Sequence, residues 1–346
     1  MKVGIAAPLS LAAVNGGVKT QVTQTAHHLK KLGIDVEFIH FDQSKFDYDL
    51  VHVFSASPET VGIAKQVVAT GSKLLVSPVF FSNRSAATIA AALKVEKTVS
   101  GIGSGIRSDF GIKSEICNWA DAVLPNTKAE LELVRDGLKV DANKLHVIPN
   151  GVESRFKDAN PELFEITYGI KDFVLFVGQA GAARKNVIQL LKAAKDIRAQ
   201  VVIIGDFYEN EYSKECLEIA TSSENILLIE SLDHESPLLE SAYAACKVFC
   251  LPSFYETPGI AAMEAALAGA QIVITKNGGT KEYFLEKAKF IDPESVSSIK
   301  DAINDSLKTD TSDALKDQIL ENFTWEKVAE KTLDVYTKVL SSKDLQ

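Results

Sequence analysis

The sequence has few cysteines and no long hydrophobic run. Its four cysteines form no C-x-x-C pair and have no histidine nearby at the spacing of a zinc site, which predicts reduced core thiols in a cytosolic protein. No apolar stretch approaches the ~20 residues that a membrane-spanning helix needs. The first residues enter a predicted strand directly, without the layout of a signal peptide. We expect a cytoplasmic location; the sequence shows no clear basic amphipathic helix and leaves peripheral contact with the inner membrane face open.

The chain also lacks an excess of positive charge. The chain has 37 Lys and Arg against 46 Asp and Glu, a net charge of −9, and no basic run of five or more residues. Such a protein is a poor candidate for general nucleic-acid binding. The hydrophobic fraction of 46% and the charged fraction of 24% are ordinary for a globular protein. Because 346 residues exceed what one core usually supports, two domains are expected.

Short runs of β-branched and apolar residues alternate with helical patterns along most of the chain. Several runs are apolar at nearly every position, which is typical of parallel strands covered on both faces. The predicted strands are residues 3–7, 36–39, 50–54, 73–76, 122–125, 144–148, 173–177, 201–204, 226–229, 248–251 and 271–275. This alternation predicts a doubly wound α/β architecture.

The pattern restarts after a polar, irregular stretch at about residues 153–167. We therefore predict two Rossmann-like domains with doubly wound parallel sheets, facing each other across a cleft. The first covers residues 1–165 and the second covers residues 166–324.

The strongest local feature follows the strand at 248–251. Thr257 is the predicted N-cap of a helix and Pro258 its first residue, while Gly259 would let backbone N–H groups approach a phosphate closely. The carboxylates of Glu256 and Glu264 beside an anion site would suit a ligand with both phosphates and hydroxyls, which means a sugar nucleotide. The alternative is an ordinary capped helix with its second glutamate in a buried ion pair.

A second candidate segment follows the strand at 173–177. Arg184 and Lys185 stand at a helix entrance, where cations oppose the helix dipole unless an anion is bound. They predict a diphosphate clamp, with solvated surface charges as the alternative. Gly16 and Gly17 open the first helix and allow close backbone approach, although a Gly-Gly pair alone is weak support.

In this order the motifs resemble the retaining nucleotide-sugar glycosyltransferases of the GT-B fold, specifically glycosyltransferase family 4, the "group 1" glycosyltransferases. The resemblance covers essentially the whole chain. Besides the pair Glu256 and Glu264, it rests on Gly16-Gly17-Val18, Asp49-Leu50-Val51-His52-Val53, Ala120-Asp121-Ala122-Val123-Leu124-Pro125-Asn126-Thr127, Val147-Ile148-Pro149-Asn150-Gly151-Val152-Glu153, Gly278-Gly279-Thr280-Lys281-Glu282 and Phe323-Thr324-Trp325-Glu326.

The resemblance implies transfer of a sugar from a UDP- or GDP-sugar, with retention of configuration, to a glycan, a lipid-linked sugar or a small molecule. It assigns catalysis to Glu256, in contact with the donor sugar, and to Lys185, which neutralises the leaving diphosphate; Glu264 would bind the ribose. A final helix at 325–346 would pack back on the first domain. The implied donor-binding residues are Gly16, Gly17, Gln179, Arg184, Lys185, Glu256, Pro258, Gly259, Ile260 and Glu264.

No metal or cofactor is implied. Asp47-Tyr48-Asp49 looks like a metal-binding D-x-D motif, but it leads directly into a strand and is interpreted as a solvated strand entry. Two departures stand out: Gln179 occupies a position where the family usually has arginine, and residues 76–84 lack the family's first-domain histidine. They favour, as an alternative, a catalytically weak GT-B protein that binds glycans or pairs with an active transferase.

A dinucleotide-dependent oxidoreductase is a distant third hypothesis, because no strand–G-x-G-x-x-G–helix unit is present. The sequence does not identify the donor base, the sugar, the acceptor, the linkage or the oligomeric state.

Overall fold

The computed structural model divides into two compact units, Met1–Gly151 together with the C-terminal helix, and Val152–Thr324. Residues 152–165, placed in the first domain by the sequence, lie in the second unit because Phe156 and Phe164 are buried in its core. Among the helices described, none combines the length and the apolar character that crossing a membrane requires. The described residues are 1–12, 16–39, 46–100, 107–310 and 312–341.

The N-terminal unit is built on a five-stranded parallel sheet in the order β2-β1-β3-β4-β5. The order reverses between β1 and β3, which is the switch point of a doubly wound sheet. The strands are β1 Lys2–Ala6, β2 Asp35–Phe38, β3 Leu50–Phe54, β4 Lys73–Ser77 and β5 Ala122–Val123. The helices are α1 Gly17–Lys31, α2 Val61–Thr70, α3 Ala86–Ser100, α4 Asp109–Trp119, α5 Lys128–Glu132 and, at the C-terminus, α14 Trp325–Ser341.

The C-terminal unit carries a six-stranded parallel sheet in the order β8-β7-β6-β9-β10-β11. This is the Rossmann order, and its switch point lies between β6 and β9. The strands are β6 Phe173–Val177, β7 Val201–Ile204, β8 Ile226–Ile229, β9 Cys246–Leu251, β10 Gln271–Thr275 and β11 Lys289–Ile291. The helices are α6 Glu162–Tyr168, α7 Val187–Ala194, α8 Glu211–Thr221, α9 Pro237–Ala245, α10 Ile260–Leu267, α11 Thr280–Phe284, α12 Val296–Ser306 and α13 Ala314–Asn322.

The predicted strand at 144–148 is wrong. This segment forms a single bridge between Leu145 and Val123, and two backbone hydrogen bonds, from His146 N to Val123 O at 3.0 Å and from Ile148 N to Pro125 O at 2.9 Å. It is an extended chain laid beside the end of β5 rather than a regular strand. The short strand β11 was not predicted. The other ten predicted strands lie within two residues of the observed ones.

A buried histidine joins three elements of the N-terminal unit. His52 of β3 lies with Nδ1 2.8 Å from the hydroxyl of Tyr336 in α14 and Nε2 2.9 Å from the hydroxyl of Ser77 in β4. Burial lowers the pKa of His52 to about 3, so the ring is neutral and offers one donor and one acceptor. Both ring nitrogens are therefore satisfied inside the core, and His52 holds α14 against this sheet.

All four cysteines are buried and free of disulfides, as expected for core thiols. Cys117 belongs to the N-terminal unit, and Cys216, Cys246 and Cys250 belong to the C-terminal unit. Burial raises the pKa of Cys117 to about 12 and that of Cys216 to about 11, and it raises the pKa of the other two thiols as well. None of these thiols is ionised near neutral pH.

Candidate active site

Lys185 and Glu256 meet at the switch point of the C-terminal sheet. Lys185 closes the 3-10 turn Ala183–Lys185 after β6, and Glu256 lies in the loop after β9, the strand that neighbours β6. The lysine Nζ is 2.5 Å from Glu256 Oε1. The two side chains are only 14% and 10% exposed. The carboxyl ends of strands at such a switch point are where open α/β sheets bind ligands.

The carboxylate of Glu256 has a second donor. The hydroxyl of Ser253, a fully buried residue, donates to the same oxygen, Oε1, at 2.7 Å. The backbone carbonyl of Glu256 accepts a hydrogen bond from Gly279 N at 3.0 Å. The position of this glutamate is thus fixed through both its side chain and its backbone.

Asn186 ties together the loops that carry these residues. It has a left-handed backbone, with φ of 55°, and is 1% exposed. Its Nδ2 donates to Pro252 O at 3.1 Å and to Pro293 O at 2.6 Å. These bonds connect the loops after β6, β9 and β11. The segments that carry Lys185 and Glu256 are therefore linked to each other by hydrogen bonds.

Arg184 lies beside the residue that departs from the family pattern. Its Nη2 donates to Gln179 Oε1 at 3.1 Å, and the arginine is exposed. A guanidinium has five N–H donors, so this contact leaves others for an anion. The structure thus places a cation next to the amide of Gln179, where the resemblance expects an arginine.

The start of α10 differs from the prediction. Thr257 is not its N-cap: the threonine hydroxyl donates to the hydroxyl of Tyr255 at 2.7 Å, and Pro258 precedes the helix, in a cis peptide with Thr257. The cap is Gly259, with φ of +86°, and the helix begins at Ile260. A Cβ at this glycine would lie 2.9 Å from a Leu251 methyl carbon. The left-handed backbone therefore favours glycine here, and a larger residue would also displace the Leu251 side chain.

Glu264 on α10 is buried, with 4% of the residue exposed. Its Oε1 lies 2.8 Å from His234 Nε2, and its Oε2 accepts a hydrogen bond from the Tyr243 hydroxyl at 2.7 Å. Glu264 therefore forms the ion pair that the alternative interpretation of this helix predicted, with His234 as its partner. Because a carboxylate has about four lone-pair directions, each oxygen can still accept a further hydrogen bond.

The electrostatics of this carboxylate centre on His234. The hydrogen bond to Glu264 is the main cause that raises the pKa of His234 to about 9, against the opposing effect of burial. The imidazole is therefore protonated at neutral pH, and both of its nitrogens are donors. Burial raises the pKa of the Tyr243 phenol well above its ordinary value, so that group also stays a donor.

Gly16 and Gly17 lie in the N-terminal unit, at the start of α1. Gly16 has an extended backbone, with φ of 173°, and a Cβ there would meet no atom of the described residues within 4 Å. Neither the backbone nor contact with those residues therefore requires glycine at residue 16, and the donor-binding role of the pair stays a prediction.

Three residues of the site escaped the sequence analysis: Ser253, His234 and Tyr243. Ser253 had a usable signal, because it stands three residues before Glu256 in the same loop. The other two had none. His234 and Tyr243 are 30 and 21 residues from Glu264 in sequence, and only the packing of α9 and its preceding loop against α10 brings the three together.

Solved structures share the whole fold. Sucrose-phosphate synthase from Thermosynechococcus elongatus superposes with a TM-score of 0.76 at 16% identity, covering 99% of this chain and 100% of that one. HepE from Anabaena, in complex with UDP-glucose, gives a TM-score of 0.73 at 16% identity, covering 98% of this chain and 100% of that one. These likenesses, with two parallel α/β sheets, confirm the predicted GT-B fold.

Sequence comparison finds a family match in the C-terminal unit. Residues 165–322 match the family model described as "Glycosyl transferases group 1". An uncharacterized glycosyltransferase from Methanocaldococcus jannaschii is 25% identical over 236 residues, which are 62% of this chain and 59% of that protein. The chain spans 50% to 59% of the length of the first curated relatives that it matches. The predicted resemblance to group 1 glycosyltransferases is confirmed, and the C-terminal unit carries the domain of that family.

Proposed function

We propose that this protein transfers a glycosyl group from a nucleoside-diphosphate sugar to a hydroxyl of an acceptor, with retention of anomeric configuration and without a metal ion. The observation that carries the proposal is the convergence of Lys185 and Glu256, 2.5 Å apart, at the switch point of the C-terminal sheet. The family match over residues 165–322 supports it.

Each residue has a role that its surroundings suit. Negative charge develops on the leaving diphosphate, so a cation already held in place lowers the barrier. Lys185 supplies that cation, because its ammonium has three donors and the contact with Glu256 uses one. Arg184 and the N-terminus of α10 add positive potential. Glu256, fixed by Ser253, contacts the donor sugar, and Glu264 accepts hydrogen bonds from the ribose.

UDP-sugars are the first donors to test, because the structurally similar HepE binds UDP-glucose. A glycan, a lipid-linked sugar or a small molecule would be the acceptor. If Gln179 weakens diphosphate binding too far, the protein instead binds glycans or supports a partner transferase. The position of Arg184, 3.1 Å from the Gln179 amide, favours the active enzyme.

The proposal is tested by thermal-shift titration with UDP, GDP, ADP and their common sugar conjugates, each with and without EDTA. One nucleotide is expected to stabilise the protein selectively, by about 2.7 kcal/mol at a hundredfold excess over its Kd, with no effect of EDTA. Release of the nucleoside diphosphate in the presence of acceptor, and the anomeric configuration of the product by NMR, then test transfer and retention.

The possible results separate the proposals. A shift that EDTA abolishes would contradict metal independence. Binding without transfer across a panel of acceptors would favour the partner role, and no shift with any nucleotide would overturn the donor site itself.

A further inference from the structure

His234 connects the interior of the C-terminal unit with solvent. It lies in the loop between β8 and α9, and its side chain is 39% exposed, whereas the Glu264 side chain that it contacts is 5% exposed. Its Nε2 is 2.8 Å from Glu264 Oε1. The histidine is therefore the solvent-exposed member of this pair.

Two donors from different elements fix the carboxylate of Glu264. His234 approaches one oxygen from the loop before α9, and the hydroxyl of Tyr243, a residue 1% exposed, donates to the other oxygen from α9 itself. With one donor on each oxygen, rotation of the carboxylate about its last bond would break both hydrogen bonds. The two remaining acceptor directions consequently keep a fixed orientation, which a vicinal diol could use.

Charges around His234 favour its cationic form. Its Nδ1 is 3.6 Å from Glu153 Oε2, and this carboxylate helps to raise the pKa of the histidine. The positive charge of Arg155 lowers the pKa of His234, but this guanidinium is paired with Glu153, with Nε 3.0 Å from Oε2. Its Nη2 also donates to the carbonyl of His234 at 2.7 Å. The same arginine thereby holds the backbone of the loop that presents the imidazole.

We propose that His234 is a positioning residue for Glu264 and thereby sets how strongly the site prefers a ribonucleotide over its 2′-deoxy counterpart. The inference rests on the proposed function, in which Glu264 accepts hydrogen bonds from the ribose. A site built to hydrogen-bond a hydroxyl rejects an analogue that lacks it, because its buried polar groups are then left unpaired. That discrimination requires the carboxylate to keep its orientation, and His234 is one of the two residues that donate hydrogen bonds to it.

The test compares Kd values for UDP, GDP and ADP with those for the 2′-deoxy form of each, by isothermal titration of the whole protein. His234→Ala is expected to weaken binding of the preferred ribonucleotide by about tenfold, the effect of losing a charge-assisted hydrogen bond, and to leave the 2′-deoxy form nearly unchanged. His234→Leu fills the space without a donor and measures the same ratio if the alanine variant does not fold.

Glu235→Ala is the matched control. Glu235 is 71% exposed and faces the other ring nitrogen, so its removal leaves the bond to Glu264 in place and the preference for ribose intact. A preference in the His234 variants equal to that of the wild type would overturn the positioning role. If the wild type binds none of the three nucleotides, the proposed function fails first; if it binds one with no preference for ribose, the assignment of Glu264 fails.

Discussion

Replacing Lys185 with alanine is expected to lower kcat/KM for glycosyl transfer by about 10²–10³-fold, the loss typical when one preorganised donor to a developing negative charge is removed. Lys185 is held 2.5 Å from Glu256, and its side chain is 14% exposed. Water and dissolved ions cannot fully compensate for the lost ammonium at such a sheltered position, because partly buried charges are screened much less than exposed ones. Steady-state release of nucleoside diphosphate measures the effect.

The matched control is Lys192→Ala. Lys192 lies on α7, is 41% exposed and pairs with Glu215 at 3.2 Å. Its removal is expected to leave turnover within about twofold of the wild type, since exposed ion pairs contribute little. Circular dichroism of both variants separates loss of folding from loss of chemistry. Turnover of folded Lys185→Ala within that same range would remove the lysine from the mechanism.

Replacing Gly278 with alanine is expected to destabilise the protein by about 2–5 kcal/mol, from left-handed backbone strain of about 1–2 kcal/mol and overpacking of about 1–3 kcal/mol. Gly278 has φ of +100°, and its Cβ would lie 2.1 Å from the carbonyl oxygen of Glu256 and 2.7 Å from the ring of Tyr255. Relief of this clash must move the loop that carries Glu256, so transfer activity is expected to fall as well if Glu256 has its proposed role. Denaturant unfolding and steady-state kinetics measure the two effects.

Gly269 offers a closely matched control. It also has φ of +100°, but a Cβ there meets no atom within 4 Å in the part of the chain that the structure describes. Gly269→Ala therefore carries the strain alone, about 1–2 kcal/mol, and is expected to keep its activity. Equal losses of stability in the two variants, with activity intact in both, would show that Gly278 has no part in holding Glu256.

Much of the architecture could be predicted from the sequence, because a parallel strand buried on both faces is apolar at nearly every position. That signal located ten of the eleven strands that the described residues form. It failed for β11, an edge strand of three residues, Lys289–Ile291, too short to show any pattern. It also failed for residues 144–148, where Leu145 and Ile148 are buried beside the end of β5 without forming a ladder.

The candidate site was harder to predict, since its contacts depend on strand order. Lys185 and Glu256 are 71 residues apart, and they meet only because β6 and β9 are neighbours in the sheet. The alternation of strands and helices along the chain does not determine that order. Local preference also misplaced the start of α10. Thr257 and Pro258 are favourable residues at a helix start, but the helix is capped by Gly259 in a left-handed conformation and begins at Ile260.

Each unit contains a buried cysteine whose rate of chemical labelling reports how often the core of that unit opens. A thiol reacts as the thiolate, so maleimide can label these side chains only after the surrounding core has opened. Peptide mass spectrometry would then follow Cys117 for the N-terminal unit and Cys250 for the C-terminal unit in one sample. We expect a nucleotide that binds near Lys185 to delay labelling of Cys250 more than labelling of Cys117, which would reveal which half of the chain holds the ligand without any engineered probe.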